Sequence, residues 1–592
     1  MSLERIFLIV FAVVASCGCS KSGNNPGSGT DPEIPANAAT PSYSNVTIAT
    51  DKAAYKPGDE VTFTLDNATL PASAKVRYKH FNTVLSEVPV TGPTWKWTTP
   101  ATDYTGYLAE VYSPVNGAET IFATIGIDVS SDWKKFPRYG FLSKFGLISD
   151  DEMNGVISNL NRYHINGLQF YDWQNKHHKP LPLNGSVPAA TWKDIANRDT
   201  YFSTVEKYIG SAHQYNMKAM FYDLVYGAWD NAEADGVNKE WYIFTDNTHT
   251  NRDIFALPSP FLSSLYLLDP SNSGWQDYMK NETKNVYKYL AFDGYHMDQL
   301  GDRGARYKYD GSFMNLAGSF QSYIDAIKSA APEKYNVMNA VAQYGQQGIA
   351  ASASDFLYSE VWSPSDSYND LTNIIKQNNT LCNSTENTVL AAYMNYDLAN
   401  SKGYFNTPSV LMTDAVIFAF GGAHLELGEH MLGREYFPND NLRMRDDLKS
   451  TLPDYYDFMV AYQNLLRDGG SFNSVTLTSD DRKMTVSAWP AYQGAVAVFG
   501  KEVSGVQVIH LINFTNSKTQ NWRDNQGIQA APVVIKDARI TLTSEASVKK
   551  IWLASPDFIG GASRSLNFIQ TGNKVSFILP ELKYWDMLVV EH

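Results

Sequence analysis

Phe292-Asp293-Gly294-Tyr295-His296-Met297-Asp298-Gln299-Leu300-Gly301-Asp302-Arg303 begins as an apolar strand and surfaces in a cluster of carboxylates. Phe356-Leu357-Tyr358-Ser359-Glu360-Val361-Trp362 repeats that pattern further along the chain. Acids at the C-terminal ends of separate strands converge when the strands form one closed parallel barrel, because every strand then ends at the same mouth. Side chains two positions apart on a strand share a face. His296 and Asp298 therefore point together while Met297 faces the helical layer. Tyr358 and Glu360 likewise point together, with Trp362 following at the rim.

Outward from these two segments, strands alternate with helical stretches from about residue 138. Eight candidate strands are Tyr139–Leu142, Gly167–Tyr171, Lys218–Asp223, Gly294–Asp298, Tyr335–Asn339, Phe356–Glu360, Val389–Tyr393 and Val416–Phe420. Ser149-Asp150-Asp151-Glu152 is a capping box, and Met153, Val156, Ile157 and Leu160 follow it at helical spacing. Gly311 to Ala330 places Phe313, Leu316, Phe320, Tyr323, Ile324 and Ile327 on one helical face. Eight such units predict a (β/α)8 TIM barrel over residues 131–468, with long loops after the third and fourth strands. No early strand runs into the Gly-rich phosphate turn of a doubly wound sheet.

Short alternating strands flank the barrel. Val46-Thr47-Ile48, Val61 to Leu65, Lys75 to Tyr78 and Tyr107 to Tyr112, with turn signals between them, predict an immunoglobulin-like β-sandwich over residues 43–130. The final barrel helix includes Tyr455 to Leu466. After Asp468-Gly469-Gly470 the alternation returns in Val475 to Thr478, Ala495 to Phe499, Val506 to Phe514 and Met587 to Val590, predicting an antiparallel β-domain over residues 469–592.

Ile6 to Ala15 is too short to span a bilayer and fits a signal-peptide core. It closes on Val14-Ala15-Ser16-Cys17, which resembles a bacterial lipobox. That predicts a signal peptide over residues 1–16, a lipidated Cys17 (Cys19 being the alternative) and a flexible tether to residue 42. The chain would then sit on the bacterial cell envelope, held to the outer membrane through its lipid anchor only. An ordinary cleaved signal is the competing reading. Only Cys382 remains in the mature body, so no disulfide can form within it. A net charge of −14 argues against nucleic acid as a partner. Aromatic residues make up 13% of the chain, which suits grooves where flat rings cover sugar C–H faces, although most of them also serve to fill cores.

Asp298, the last inward residue of its strand, occupies the place of a nucleophile. An Asp and a Glu facing each other across a sugar are the working groups of a glycosidase. Alternatively, Asp298 caps its loop and Glu360 pairs with a base such as Arg303. Asp172 and Trp173 end the second strand and are candidates for binding sugar hydroxyls and stacking a ring. His178, His296, Gln299, Trp362, Asn395, Tyr396 and Glu426 are candidate substrate contacts at other strand ends, with loop hydrogen bonding as the alternative role. His296-Met297-Asp298 and His177-His178 match neither His-Glu-x-x-His nor EF-hand spacing, so neither metal nor cofactor is predicted.

Over essentially the whole mature chain the sequence resembles family 66 glycoside hydrolases, the dextranases and cycloisomaltooligosaccharide glucanotransferases. The resemblance runs through Asn161-Arg162-Tyr163-His164-Ile165-Asn166-Gly167-Leu168-Gln169-Phe170-Tyr171-Asp172-Trp173, the Asp298 and Glu360 segments, and Gly421-Gly422-Ala423-His424-Leu425-Glu426-Leu427-Gly428-Glu429. It implies an immunoglobulin-like domain, a (β/α)8 barrel and a Greek-key β-domain. It also implies Asp298 as nucleophile and Glu360 as general acid/base, in retaining endo-hydrolysis of α-1,6-glucan (dextran) to isomaltooligosaccharides. Family transferases that close isomaltooligosaccharides into rings carry a binding module inserted in the barrel. No β-rich interruption of domain size divides residues 138–466 here, which favours a hydrolase. A non-catalytic glycan-binding lipoprotein is the reading from a different class.

Overall fold

The computed structural model describes residues 33–66, 69–115 and 118–592. The expected signal peptide, Cys17, Cys19 and the tether up to residue 32 lie outside the described residues. Among the described residues no helix is long and apolar enough to cross a membrane.

Eight parallel strands form the centre: β1 (Tyr139–Leu142), β2 (Gly167–Phe170), β3 (Lys218–Leu224), β4 (Gly294–Asp298), β5 (Tyr335–Val341), β6 (Leu357–Glu360), β7 (Thr388–Ala391) and β8 (Ala423–His424). They pair in sequence order around one sheet. The Phe141 N–H donates to the Leu427 carbonyl at 3.0 Å, bringing the chain after β8 against β1 and nearly closing a TIM-like barrel. A helix follows each strand: α1 (Asp150–Arg162), α2 (Phe202–Gln214), α3 (Ser273–Tyr289), α4 (Leu316–Ala330), α5 (Gln346–Ala350), α6 (Tyr368–Leu381), α7 (Thr407–Ala419) and α8 (Asp446–Ala461).

Strand alternation divides the core into two layers. Tyr139, Phe141, Met220, Val337, Tyr358, Val389 and Ala423 fill the barrel interior. Phe170, Phe221, Tyr295, Met297 and Leu357, of opposite parity, pack under the helices. The α1 capping box forms as the sequence implies: Ser149 Oγ accepts from Glu152 N–H, and Ser149 N–H donates back to Glu152 Oε2, both at 3.2 Å. The predicted helix from Gly311 begins only at Leu316, because Asn315 caps it and Phe313 belongs to a short hairpin where it is exposed.

One predicted strand is wrong. Val416–Phe420 is the end of α7, and the eighth strand begins at Ala423. Every residue of α7 from Ser409 to Ala419 is buried. A helix with no exposed face shows no 3.6-residue period and reads as a core strand.

The N-terminal β-region comprises a five-stranded and a three-stranded sheet, packed on each other through Val61, Phe63, Tyr78, Ile125 and Ile127. The C-terminal region pairs a seven-stranded sheet with a four-stranded one around Val498, Leu511, Ile540 and Phe577. Glycines allow the N-terminal sheet to lie on α8. A Cβ on Gly106 would fall 2.1 Å from the Val460 carbonyl oxygen, and one on Gly126 2.6 Å from that of Asp457. The same Asp457 receives Gly126 N–H at 2.8 Å and Arg162 Nη2 at 2.8 Å, with His164 Nε2 at 2.6 Å. The Asn-Arg-Tyr-His segment is therefore scaffold that joins the barrel's lower end to its flanking sheet.

Candidate active site

Four successive strands, β3 to β6, and the chain just beyond β7 each contribute one side chain to an arc of hydrogen bonds at the barrel mouth. From β5, the Asn339 side-chain N–H2 donates to Asp298 Oδ1 at 2.9 Å and to Glu360 Oε2 at 3.0 Å. From β3, Tyr222 O–H donates to Asp298 Oδ2 at 2.6 Å. Just beyond β7, Tyr393 O–H donates to Glu360 Oε1 at 2.6 Å. Two oxygens bound to one nitrogen lie at most about 5.9 Å apart. The trigonal angle of an amide nitrogen sets them at roughly 5 Å.

The arc opens on a cavity of about 650 Å³. Trp362, Tyr436 and Phe437 line it, as do Phe255, Leu257 and Phe261 from the long loop after β3. Burial pushes the Glu360 carboxyl up to about 7, and the neighbouring Asp298 charge adds to that rise. Asp298 is also raised by burial, against the hydrogen bonds from Tyr222 and Asn339 that favour its anion. A protonated acid beside a carboxylate, at one wall of a cavity, is the arrangement acid-assisted bond cleavage requires.

The other expected contacts divide. Asp172, His296, Gln299 and Trp362 line the cavity with Asp298 and Glu360. Burial raises Asp172 to about 7, opposed by the Arg198 charge. Burial lowers His296 to about 3, leaving a neutral imidazole with Nδ1 3.2 Å from the Tyr139 hydroxyl. Gln299 is already engaged, accepting from Gly301 N–H and donating to the Tyr344 carbonyl.

Trp173, His178, Asn395, Tyr396 and Glu426 are not among the residues that line this cavity. Asp172 turns the chain with a φ of 51°, which buries Trp173 against Trp192 and Phe292, with its indole N–H on the Tyr222 carbonyl. His178 is fully buried and bonded to Asp235, while its neighbour His177 reaches the cavity. Asn395 is a buried loop clamp, donating to Ser409 Oγ and the Asp524 carbonyl. Tyr396 packs edge-on behind Trp362 and donates to Glu435. Glu426 shares the outward parity of His424 and lies behind β8, where Tyr456 donates to it at 2.9 Å.

Tyr222, Asn339 and Tyr393 escaped the sequence reading, although each was within a candidate strand and on its inward parity. Glu435, Tyr436 and Phe437 come from the loop after β8, where no periodicity marks them. Among the described residues one set could hold a cation: Asp414, His424 and Glu426, with ligand atoms within 4.8 Å of one another. It is buried behind β8 and shares no residue with the cavity.

Residues 50–589 match the sequence profile of glycosyl hydrolase family 66. The chain is similar to a cycloisomaltooligosaccharide glucanotransferase of Niallia circulans, with 28% identity over 703 aligned residues covering 92% of this chain and 71% of the relative. It is also similar to a dextranase of Streptococcus salivarius, with 24% identity over 572 residues covering 83% of this chain and 68% of the relative. A Paenibacillus sp. cycloisomaltooligosaccharide glucanotransferase, crystallised with cycloisomaltoheptaose, has a similar structure. Its TM-score is 0.84 at 25% identity, covering 92% of this chain and 100% of that one.

Proposed function

The chain belongs to glycosyl hydrolase family 66, and on that premise we propose that it is a retaining endo-dextranase, cleaving α-1,6-glucosidic linkages and releasing isomaltooligosaccharides. The Asn339 bridge carries this reading. It keeps Asp298 Oδ1 and Glu360 Oε2 within about 5.9 Å of each other, near the roughly 5–5.5 Å of retaining enzymes and short of the roughly 6.5–9.5 Å that inversion needs for its water.

Glu360, protonated, gives its proton to the glycosidic oxygen as the C1–O bond breaks and its electrons pass to that oxygen. Asp298 attacks C1 from the opposite side and forms a covalent glycosyl ester. That esterification removes the charge that helped hold the Glu360 proton. Glu360 therefore becomes a carboxylate suited to take a proton from incoming water. Water attacks C1, Asp298 leaves, and the configuration is retained. Asp172, His296 and Trp362 are the sugar contacts this reading favours. It also takes residues 43–130 as an immunoglobulin-like sandwich, 131–468 as the catalytic barrel and 469–592 as a Greek-key β-domain.

A cyclising glucanotransferase is the second reading, because the glucanotransferase relative is the more identical of the two. The two differ in what meets the intermediate, water or the chain's own 6-hydroxyl. The 703-residue alignment exceeds the 592 residues of this chain, so that relative carries internal sequence without a counterpart here, which supports the hydrolase. Sizing the early products of a dextran digest separates them. Linear oligosaccharides of mixed length are expected; rings with no new reducing ends would establish the transferase, and intact dextran would refute both. Glu360→Gln should lose dextran hydrolysis yet cleave a glycoside with an activated leaving group, and azide should restore its turnover. If Asp298→Asn responded that way instead, the two roles would be exchanged.

A further inference from the structure

Residues 515–531 leave the C-terminal sheet and cross to the barrel mouth. Trp522 N–H donates to the Asp366 carbonyl at 3.1 Å and its indole N–H to the Ser365 carbonyl at 2.8 Å. Asn395 N–H donates to the Arg523 carbonyl at 2.7 Å. These bonds seat Arg523 beside the loop after Glu360. Arg523 is 5% exposed and forms no ion pair among the described residues. Its Nη2 donates to the Val361 carbonyl at 2.7 Å, while Nη1 is buried without a hydrogen-bond partner. The guanidinium instead lies among three rings, 5.1 Å from the centroid of Trp362, 5.3 Å from Tyr396 and 4.7 Å from Trp522.

Burying a cation with no carboxylate in hydrogen-bond contact is costly; the more distant Asp366 and Glu360 charges offset part of that cost, and the faces of the aromatic rings offset more at close range. The same contact restrains those rings. Trp362 is the ring that matters, because it lines both the catalytic cavity and a neighbouring open groove of about 580 Å³. Leu300 to Asp302 and Val341 to Gly345 form the rest of that groove. A general acid must reach the leaving-group oxygen, so the leaving part of the chain passes Glu360, and Trp362, two residues after Glu360, is where this groove meets the cavity.

We infer that Arg523, supplied by the C-terminal β-region, is a positioning residue that fixes Trp362, which with Leu300 and Val341 separates the catalytic cavity from the groove receiving the leaving-group end of the glucan. The groove assignment rests on the proposed dextranase reading; the restraint on Trp362 does not.

Two measurements keep these apart. In protein labelled with 5-fluorotryptophan, the Trp362 fluorine resonance is assigned by its loss in Trp362→Phe. Without any substrate, Arg523→Gln should shift and broaden it; an unchanged line would overturn the inference whatever the enzyme's substrate. In kinetics, Arg523→Gln should raise KM for dextran about tenfold, while kcat/KM for an α-glucosyl fluoride, whose one-atom leaving group leaves the groove empty, stays within about twofold. In a Trp362→Ala background the same change should add nothing. Equal losses on both substrates, or additive losses in the double variant, would overturn it. If Arg523→Gln gives no cooperative melt, Arg523→Lys takes its place: its compact ammonium cannot cover three rings, so smaller effects of the same sign are expected, and none would refute the role.

Discussion

Asp298 and Glu360 at the barrel mouth have a near twin in Asp414 and Glu426 behind β8. All four carboxyls are raised by burial, and each pair has a tyrosine donor and a third polar group in contact. They differ in that third group and in what lies beyond. At the mouth, a neutral amide donates to both acids, and their side chains line an open cavity. Behind β8, His424 places Nδ1 2.8 Å from Asp414 and 3.4 Å from Glu426. Its Nε2, 2.7 Å from the Ala392 carbonyl, must carry the proton because that oxygen can only accept. This set lines neither the catalytic cavity nor the groove beside it, and its shared protons hold α7 and the chain after β8 together. A raised carboxyl marks a reaction site only where a substrate can reach it.

Four changes probe the contrast, beginning with the most damaging. Asp298→Asn should lower kcat/KM on dextran by about 10⁴-fold or more, since an amide cannot form the ester; a loss under tenfold would remove the mouth pair from the chemistry. Asn339→Ala removes a donor that favours both anions and should lower kcat about 10²-fold. Both limbs of its pH–rate curve should move to higher pH, and a move to lower pH would contradict the bridge. For the wild type, the alkaline limb falls as pH rises through about 7, where Glu360 loses its proton.

Glu426→Gln should leave kcat/KM within about threefold, with its effect on stability instead. Glu426 is raised to about 8, so folding takes up a proton: stability is greatest below the ordinary carboxyl range and is lost as pH rises through about 8. Thermal melts of the glutamine variant should therefore lose less between pH 5 and pH 9 than the wild type; an unchanged slope would mean Glu426 does not titrate there. The smallest effect on catalysis is expected for Trp173→Phe, with an unchanged KM and a lowered melting temperature, because its indole is core rather than a sugar platform.

Seven of the eight barrel strands were legible in the sequence because a half-polar mouth succeeds an apolar, alternating run. The same alternation placed His296 and Asp298 inside and Met297 outside. It failed at α7, whose unbroken apolar surface hides its period. That misplaced strand made Glu426 look like a mouth residue, when Leu425 is the inward neighbour and Glu426 faces the helices. Trp173, His178 and Asn395 were lost for another reason. Each lies past a strand end in irregular chain, where positive φ at Asp172 and Asn395 reorients the next residues and parity no longer applies. Arg523 had no local signal, since only the tertiary contact between the C-terminal region and the barrel brings it to the site.

If Asp298 attacks the sugar carbon while Glu360 handles protons, the covalent intermediate must form on Asp298. Peptide mass mapping of Glu360→Gln, incubated with an activated α-glucosyl donor that its missing base cannot turn over, locates that bond. A glycosyl increment on the peptide containing Asp298 is the expected result. An increment on another carboxylate, or none while a β-anomeric product accumulates in the wild-type reaction, would contradict it.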